Sequence, residues 1–290
     1  MKKLAFIYIV LASIFWGTSG IFVHFIAPYG LSSFQMTFVR GLIFAICMGI
    51  FIFIKDKKLF KASKKELFLF SLSGLSFFLT ASFYFLSMQL TSISTAVVLM
   101  YTAPIFVMIY SVSFLSEKFN LKKGISVALM IIGCALVSGV VGGLKFDLLG
   151  IFIGFLSGIS YSAYNIITKI QMKNKSNPLT ATFYCFLFAV LIGLFASNPM
   201  GIPDVLSKNY SLLIPLVFAM GICTCVLPYI LYTLALKEID AGTATSLGIL
   251  EPMAATLYSV ILFNEKLSIY STIGIVLILG AVFLLSKSES

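Results

Sequence analysis

The chemistry open to this chain rests on a few polar residues inside long apolar segments. Glu251 lies near the middle of one such segment and directly precedes Pro252. A carboxylate at that depth costs at least about 2.5–3.5 kcal/mol, so we expect it to be protonated, paired or in contact with water. Pro252 lacks an N–H, which leaves a carbonyl about one turn earlier without its usual donor. Glu251 is a candidate for binding a proton or a substrate amine, and the alternative is a structural glutamate that locks a kinked helix.

Arg40 is the single arginine of the chain and also lies inside an apolar segment. Its guanidinium could contact an anion, either a substrate carboxylate or the carboxyl-terminal end of a helix. The Arg40 side chain could instead extend along its apolar stem to the outer surface of the membrane, and we favour this structural interpretation.

Aromatic residues with polar tips outline a cavity. A phenol deep in a bilayer needs a partner, so it faces other helices or a wet cavity. Asn165 adds an amide about one helical turn from Tyr161. The aromatic residues are Trp16, Tyr84, Tyr101, Tyr161, Tyr164, Tyr229 and Tyr232. The predicted substrate-binding residues are these aromatic residues except Tyr164, together with Asn165 and Glu251. Such a set suits an amphipathic solute such as an apolar amino acid.

Enzymatic chemistry has little support in the sequence. One histidine and one deep carboxylate do not supply the clustered groups that acid–base or metal catalysis in a membrane needs. The five cysteines all lie in apolar segments, and we expect reduced packing residues. We predict no cofactor, no metal and no enzymatic activity.

The composition of the chain indicates the kind of fold that positions these residues. Hydrophobic residues make up 60% of the chain, charged residues 10%, and the mean hydropathy is +1.08. A soluble domain has roughly 25% charged residues. The apolar runs, of about twenty residues each, are typical of membrane-spanning helices. We predict an all-α membrane protein with ten transmembrane helices, at residues 4–26, 31–54, 66–88, 93–115, 121–141, 147–169, 179–197, 211–236, 242–263 and 269–286.

The lysines indicate the orientation. With the amino terminus inside, most of them, Lys169 included, fall in internal loops, and only Lys145, Lys208 and Lys266 fall outside. This bias predicts an inner-membrane protein with both termini in the cytoplasm. The net charge of +10 then reflects topology, so the expected partner is the lipid bilayer and not nucleic acid.

The two halves of the sequence repeat each other at a shift of 148 residues. Pro104 falls on Pro252, Tyr110-Ser111-Val112 on Tyr258-Ser259-Val260, and Glu117-Lys118 on Glu265-Lys266. Because each copy has an odd number of helices, the second copy enters the membrane from the opposite side. We predict two inverted five-helix repeats, residues 1–141 and 147–290. Inverted repeats are typical of secondary transporters, with the substrate site between the halves.

The same segments resemble the drug/metabolite transporter superfamily and, more narrowly, the EamA family. The resemblance rests on Leu250-Glu251-Pro252, the segment 262–268, Gly274 and Gly280, and also on Trp16-Gly17, Tyr101-Thr102-Ala103-Pro104 and Ser116-Glu117-Lys118. It covers the whole chain and implies ten helices, a central cavity, and the fifth and tenth helices at the periphery. Members of the superfamily include exporters of amino acids, drugs and other metabolites, and sugar-nucleotide exchangers.

Residues and resemblance together predict a secondary transporter that moves a small-molecule substrate by alternating access. An exporter of amino acids or related amphipathic metabolites fits best, with proton coupling through Glu251 as a hypothesis. The alternatives are a lipid or sugar-nucleotide translocator of the same fold and a membrane receptor that transports nothing. A monomer and a homodimer are both compatible with the sequence.

Overall fold

The computed structural model describes residues 2–91, 93–114, 121–137, 147–263 and 268–289. These residues are helical with short connections and contain no strand, as predicted. Six helical segments among them are long and apolar enough to cross a membrane, and three shorter apolar helices accompany them. The protein is therefore a multi-pass membrane protein, while the number of ten membrane helices stays a prediction. The repeated pairs Glu117-Lys118 and Glu265-Lys266 lie outside the described residues.

The chain folds into helices of very different length. In chain order they are α1 (Lys2–Gly17), α2 (Ser19–Ile26), α3 (Ser33–Lys55), α4 (Lys64–Leu90), α5 (Ile93–Met100), α6 (Ala103–Phe114), α7 (Leu121–Val137), α8 (Leu148–Lys173), α9 (Pro178–Ala196), α10 (Ile202–Ser207), α11 (Tyr210–Gly221), α12 (Leu227–Ala235), α13 (Ala241–Leu247), α14 (Leu250–Phe263) and α15 (Ile269–Glu289). A π-helical turn, Ile222–Val226, joins α11 to α12.

Two helices predicted to be continuous are broken in the middle. The predicted helix 93–115 is α5 and α6, and the predicted helix 242–263 is α13 and α14. Pro104 and Pro252 lie in the first turns of α6 and α14, where proline fits because no N–H is needed there. Each proline excludes the hydrogen bond to the carbonyl four residues earlier, so the preceding helix ends. Glu251 consequently lies in the first turn of α14 and not in mid-helix, which corrects the prediction.

Two further predicted helices are interrupted. The segment 4–26 changes from α1 to α2 at Thr18, whose hydroxyl donates to the carbonyl of Phe15 at 2.6 Å. The segment 211–236 contains the π-helical turn, which ends just before Pro228. π-helical turns are frequent at functional sites.

Close helix packing depends on glycines. At Gly74 of α4, an added Cβ would lie 2.6 Å from the carbonyl oxygen of Cys185 in α9. At Gly133 of α7, it would lie 2.9 Å from the carbonyl oxygen of Gly274 in α15. Small residues let helix backbones approach in this way inside a membrane. The main contacts of α7 and α15 are with each other, whereas α4 packs along α8 and α9.

One end of the helix bundle is closed by polar contacts; we call it the lysine-rich end (residues 55–66, 121–123, 169–180 and 236–240). Lys123 and Asp240 form an ion pair at 2.8 Å. Lys169 is buried and donates to the carbonyl of Leu236 at 3.1 Å. The loop position predicted for Lys169 is therefore wrong, because α8 continues to Lys173 and the amine satisfies carbonyls beyond the end of α12.

Candidate substrate cavity

A cavity of about 400 Å³ lies between α1, α3, α4, α8, the π-helical turn and α14. Its lining includes six residues singled out from the sequence: Trp16, Arg40, Tyr84, Tyr161, Tyr229 and Glu251. Tyr164 also lines it, as the outline of aromatic residues predicted. The breaks in the helices bring these residues together, because α14 presents its first turn to the cavity and α1 presents its last.

One wall of the cavity is aromatic and is built around Tyr229. The ring centroid of Tyr229 lies 5.1 Å from that of Trp16 and 5.3 Å from that of Phe77, both in edge-to-face geometry. Tyr164 approaches Tyr229 in the same way, at 6.0 Å. Such edge-to-face pairs fix the rings without filling the space in front of them. The wall therefore offers a preformed apolar surface to a ligand.

Three predicted lining residues stand behind this wall: Tyr101, Asn165 and Tyr232, none of which lines the cavity. Asn165 is fully buried, donates from its amide to the carbonyl of Tyr161 at 2.7 Å, and accepts a hydrogen bond from the Tyr232 hydroxyl. Tyr232 in turn packs against Trp16, with 5.5 Å between the ring centroids. Asn165 and Tyr232 thus brace the wall and are not placed to contact a ligand in this cavity.

Glu251 lines the cavity on one side and contacts Tyr101 on the other. The Tyr101 hydroxyl lies 2.6 Å from Glu251 Oε2 and 3.0 Å from the carbonyl oxygen of Gly248. Gly248 is the residue four positions before Pro252, so its carbonyl is the one deprived of its usual donor. The sequence predicted a carbonyl without its usual donor, and in the structure it accepts from the Glu251 N–H and from Tyr101 of the other broken helix.

Arg40 lies on the cavity, although an interfacial position was the favoured interpretation. It is placed by α3, and its Nε atom is buried without a hydrogen-bond partner. In the described part of the chain its side chain forms no hydrogen bond and no ion pair. The guanidinium accordingly fits the alternative in which it contacts an anion inside the protein.

Several lining residues were not singled out from the sequence, among them Met36, Phe77, Thr80, Met220 and Thr224. Phe77 packs against both Tyr229 and Phe186 and closes one side of the wall. Because the chain has 29 phenylalanines, the residue type alone carried no signal. Within the described ranges, no three His, Cys, Asp or Glu side chains group as metal ligands would.

The chain is similar to known proteins over nearly its whole length. The model of the EamA-like transporter family matches residues 3–139 and 148–287. An uncharacterized transporter of Clostridium kluyveri is 28% identical, over 100% of this chain and 95% of that protein. An uncharacterized transporter of Archaeoglobus fulgidus is 26% identical, over 95% of this chain and 94% of that protein. The uncharacterized transporter YxxF of Bacillus subtilis is 25% identical, over 98% of this chain and 89% of that protein.

The fold recurs in a solved structure. A crystal structure of another protein superposes with a TM-score of 0.82 at 15% sequence identity, and the match covers 100% of this chain and 98% of the other. At this identity the likeness concerns the fold alone.

Proposed function

Since this chain belongs to the EamA-like transporter family, we propose that it exports amino acids or related amphipathic metabolites across the inner membrane by alternating access. Transport in general follows from the family, whose relatives are named as transporters. The substrate class is inferred from the cavity. The observation that carries it is an aromatic cavity of about 400 Å³ whose lining contains one cation, Arg40, and one carboxyl group, Glu251.

The charges in the cavity favour a ligand with both an anionic and a cationic group. Arg40 and Glu251 are the charged residues of the lining, and the other lining residues are aromatic, aliphatic, small or hydroxyl-bearing. The two are not joined by an ion pair in the structure. A carboxylate at Arg40 and an amine near Glu251 would satisfy both, and the aromatic wall would hold an apolar side chain. The volume lies within the roughly 300–1,000 Å³ that small-molecule pockets occupy.

The position of the cavity supports alternating access. Its lining includes Ser19, Gly20 and Ser33, near the end of the bundle opposite the lysine-rich end. None of the described residues of the lysine-rich end lines it, and that end is closed by contacts such as Lys123–Asp240. With the lysine-rich end in the cytoplasm, as the charge bias predicts, the cavity is accessible from outside and closed inside.

Two repeats of one unit would supply the second conformation. The helix breaks lie at positions related by the shift of 148 residues, and the family model matches two ranges that correspond to the predicted units 1–141 and 147–290. These observations support the proposal of two inverted five-helix repeats that exchange conformations.

The test measures export and its dependence on Glu251. Cells expressing the native chain, Glu251→Gln or Glu238→Gln at equal membrane abundance are loaded with isotope-labelled amino acids, and labelled compounds are measured outside. Glu238 is an exposed glutamate that does not line the cavity, which makes it the matched control. We expect export with the native chain and with Glu238→Gln, and loss or altered pH dependence with Glu251→Gln.

Two results would contradict the proposal. Unchanged export and unchanged pH dependence in Glu251→Gln would reject proton coupling at this residue. If no labelled amino acid left the cells with any variant, the substrate class would be rejected. Movement of labelled lipids or sugar nucleotides in the same cells would then favour the alternative translocator.

A further inference from the structure

A buried phenol of one broken helix reaches the break of the other. Tyr101 occupies the break between α5 and α6, and its hydroxyl reaches Gly248 in the break between α13 and α14. Only 1% of the Tyr101 surface is exposed, and Tyr101 is not part of the cavity lining. The phenol therefore joins the two breaks from behind, while Glu251 separates it from the cavity.

The number of hydrogen-bond donors at this junction depends on whether Glu251 carries a proton. A phenol has one O–H to donate, but Tyr101 faces two acceptors, the Gly248 carbonyl and the Glu251 carboxyl group. When Glu251 is protonated, its O–H donates to Tyr101 Oη and the phenol donates to Gly248, so every group is satisfied. When Glu251 is ionised, the phenol turns to the carboxylate, because charge-assisted hydrogen bonds are about twice as strong as neutral ones. The Gly248 carbonyl then retains only the Glu251 N–H, at 2.9 Å.

We propose that Tyr101 is a positioning residue that links the protonation of Glu251 to the junction of the two broken helices. The proposal deepens the transport function above and rests on it. A proton that enters from the cavity binds the Glu251 carboxylate, and the Tyr101 proton stays on Tyr101 and changes only its acceptor. The protonated junction holds the two breaks together, and the ionised junction releases the Gly248 carbonyl.

The repeat itself does not require this arrangement. At the shift of 148 residues, Tyr101 corresponds to Ile249 and Glu251 corresponds to Ala103. Neither Ile249 nor Ala103 can donate or accept through its side chain. The acid and the phenol thus each occur at only one of the two related breaks. A helix break of this kind therefore does not require them, which favours a role that depends on the proton.

The other charged or titratable groups around Glu251 cannot replace Tyr101. They come from four different helices: Arg40 from α3, Tyr84 from α4, Tyr161 from α8 and Tyr229 from α12. Among the described residues, the hydrogen bond to the Glu251 carboxyl group comes from Tyr101 alone. On the side of α1, Gly17 packs on the α14 backbone, and an added Cβ there would lie 3.2 Å from the Glu251 carbonyl oxygen.

The chain carries its own reporter of this junction. Trp16 is the single tryptophan; it lines the cavity and precedes the glycine that contacts α14. A movement of the first turn of α14 therefore alters the surroundings of the Trp16 indole. The probe is the proton, so the experiment needs no identified substrate.

The experiment titrates Trp16 emission against pH in purified protein in lipid nanodiscs. We compare the native chain with Tyr101→Phe, Glu251→Gln and Tyr110→Phe. The side-chain amide that Glu251→Gln introduces can donate to Tyr101 as a protonated carboxyl does, so this variant should show the acid-form emission at every pH. Tyr101→Phe should lose most of the pH-dependent change. Tyr110 lies on α6, and the described structure gives its hydroxyl no hydrogen bond, so Tyr110→Phe should titrate like the native chain.

A native amplitude in Tyr101→Phe would overturn the proposal, because Glu251 would then act on Trp16 directly. A flat titration of the native chain would also overturn it. If Tyr101→Phe does not fold, Glu251→Asp replaces it: this variant keeps the acid but withdraws it from the phenol by one methylene, so the amplitude should again be lost. Labelled amino acid export by the native chain is measured in parallel, so that a failed titration with intact export rejects this inference and leaves the transport function standing.

Discussion

Replacing Gly74 by alanine tests whether the contact between α4 and α9 sets the width of the cavity. An added Cβ would lie 2.6 Å from the Cys185 carbonyl oxygen, 2.8 Å from the Phe188 Cβ and 3.1 Å from the Ala189 nitrogen. Two of these atoms belong to the α9 backbone and cannot rotate away. Since ordinary contacts are about 3.5–4.0 Å, the two helices must separate by about 1 Å.

The magnitude follows from two opposing effects. Overpacking of this kind costs about 1–3 kcal/mol. Alanine in a helix interior gains about 1 kcal/mol over glycine. Gly74→Ala should therefore be neutral or destabilising by up to about 2 kcal/mol. Gly280 is the matched control, because it also lies within a helix and an added Cβ there meets nothing within 4 Å, so Gly280→Ala should be stabilising.

Chemical unfolding of the purified variants in detergent micelles measures the difference in free energy of unfolding. We expect the free energy of unfolding of Gly280→Ala to exceed that of Gly74→Ala by about 1–3 kcal/mol. The export rate should fall only in Gly74→Ala, because Phe77 lies on the same helix one turn away and lines the cavity. Equal stability of the two variants would refute the reasoning, since it would mean that α4 and α9 do not approach as closely as described.

Three further predictions concern the lysine-rich end, the cavity and the cysteines. Lys169→Met removes the amine that donates to the carbonyl of Leu236, and it should lower the free energy of unfolding by about 1–3 kcal/mol in the same assay. Lys64 is exposed, so Lys64→Met should change the stability little. Equal effects of the two substitutions would contradict a structural role for the buried amine. Arg40→Gln should raise the KM for a transported amino acid and leave that for its methyl ester unchanged, as measured by uptake into vesicles; equal changes would exclude a carboxylate contact. Thiol titration of the denatured protein without reductant should find five free cysteines, and a lower number would reveal a disulfide.

The membrane class was predictable from composition, and the helical fold was predictable from the length of the apolar runs. A chain that is 60% hydrophobic and 10% charged can only be solvated by lipid, whatever its tertiary contacts. The family resemblance is confirmed by the match to the family model, and it was recognisable because its motifs are local in sequence. The helix breaks were only half predictable. Pro252 indicated a kink, but the apolar pattern runs through the break without interruption, so it could not show that α13 ends there.

The positions of side chains around the cavity depend on helix rotation, which the sequence does not display. Tyr101 and Tyr161 looked equivalent as deep phenols, yet Tyr161 lines the cavity and Tyr101 lies behind Glu251. Arg40 could reach either an interface or the interior from the same sequence position, and only the packing of α3 decides between them. Distinguishing lining residues from bracing residues therefore required coordinates.

The asymmetry between the two breaks bears on how a symmetric carrier could be driven. Two identical halves would make the outward and inward conformations equal in energy, so nothing in the chain would favour one of them. An acid at position 251 and an alanine at position 103 remove this equality, because only one break can bind a proton. A ligand shifts such an equilibrium only by its difference in affinity for the two states. Under the proposed mechanism the proton is that ligand, and the Tyr101 junction is where the difference arises.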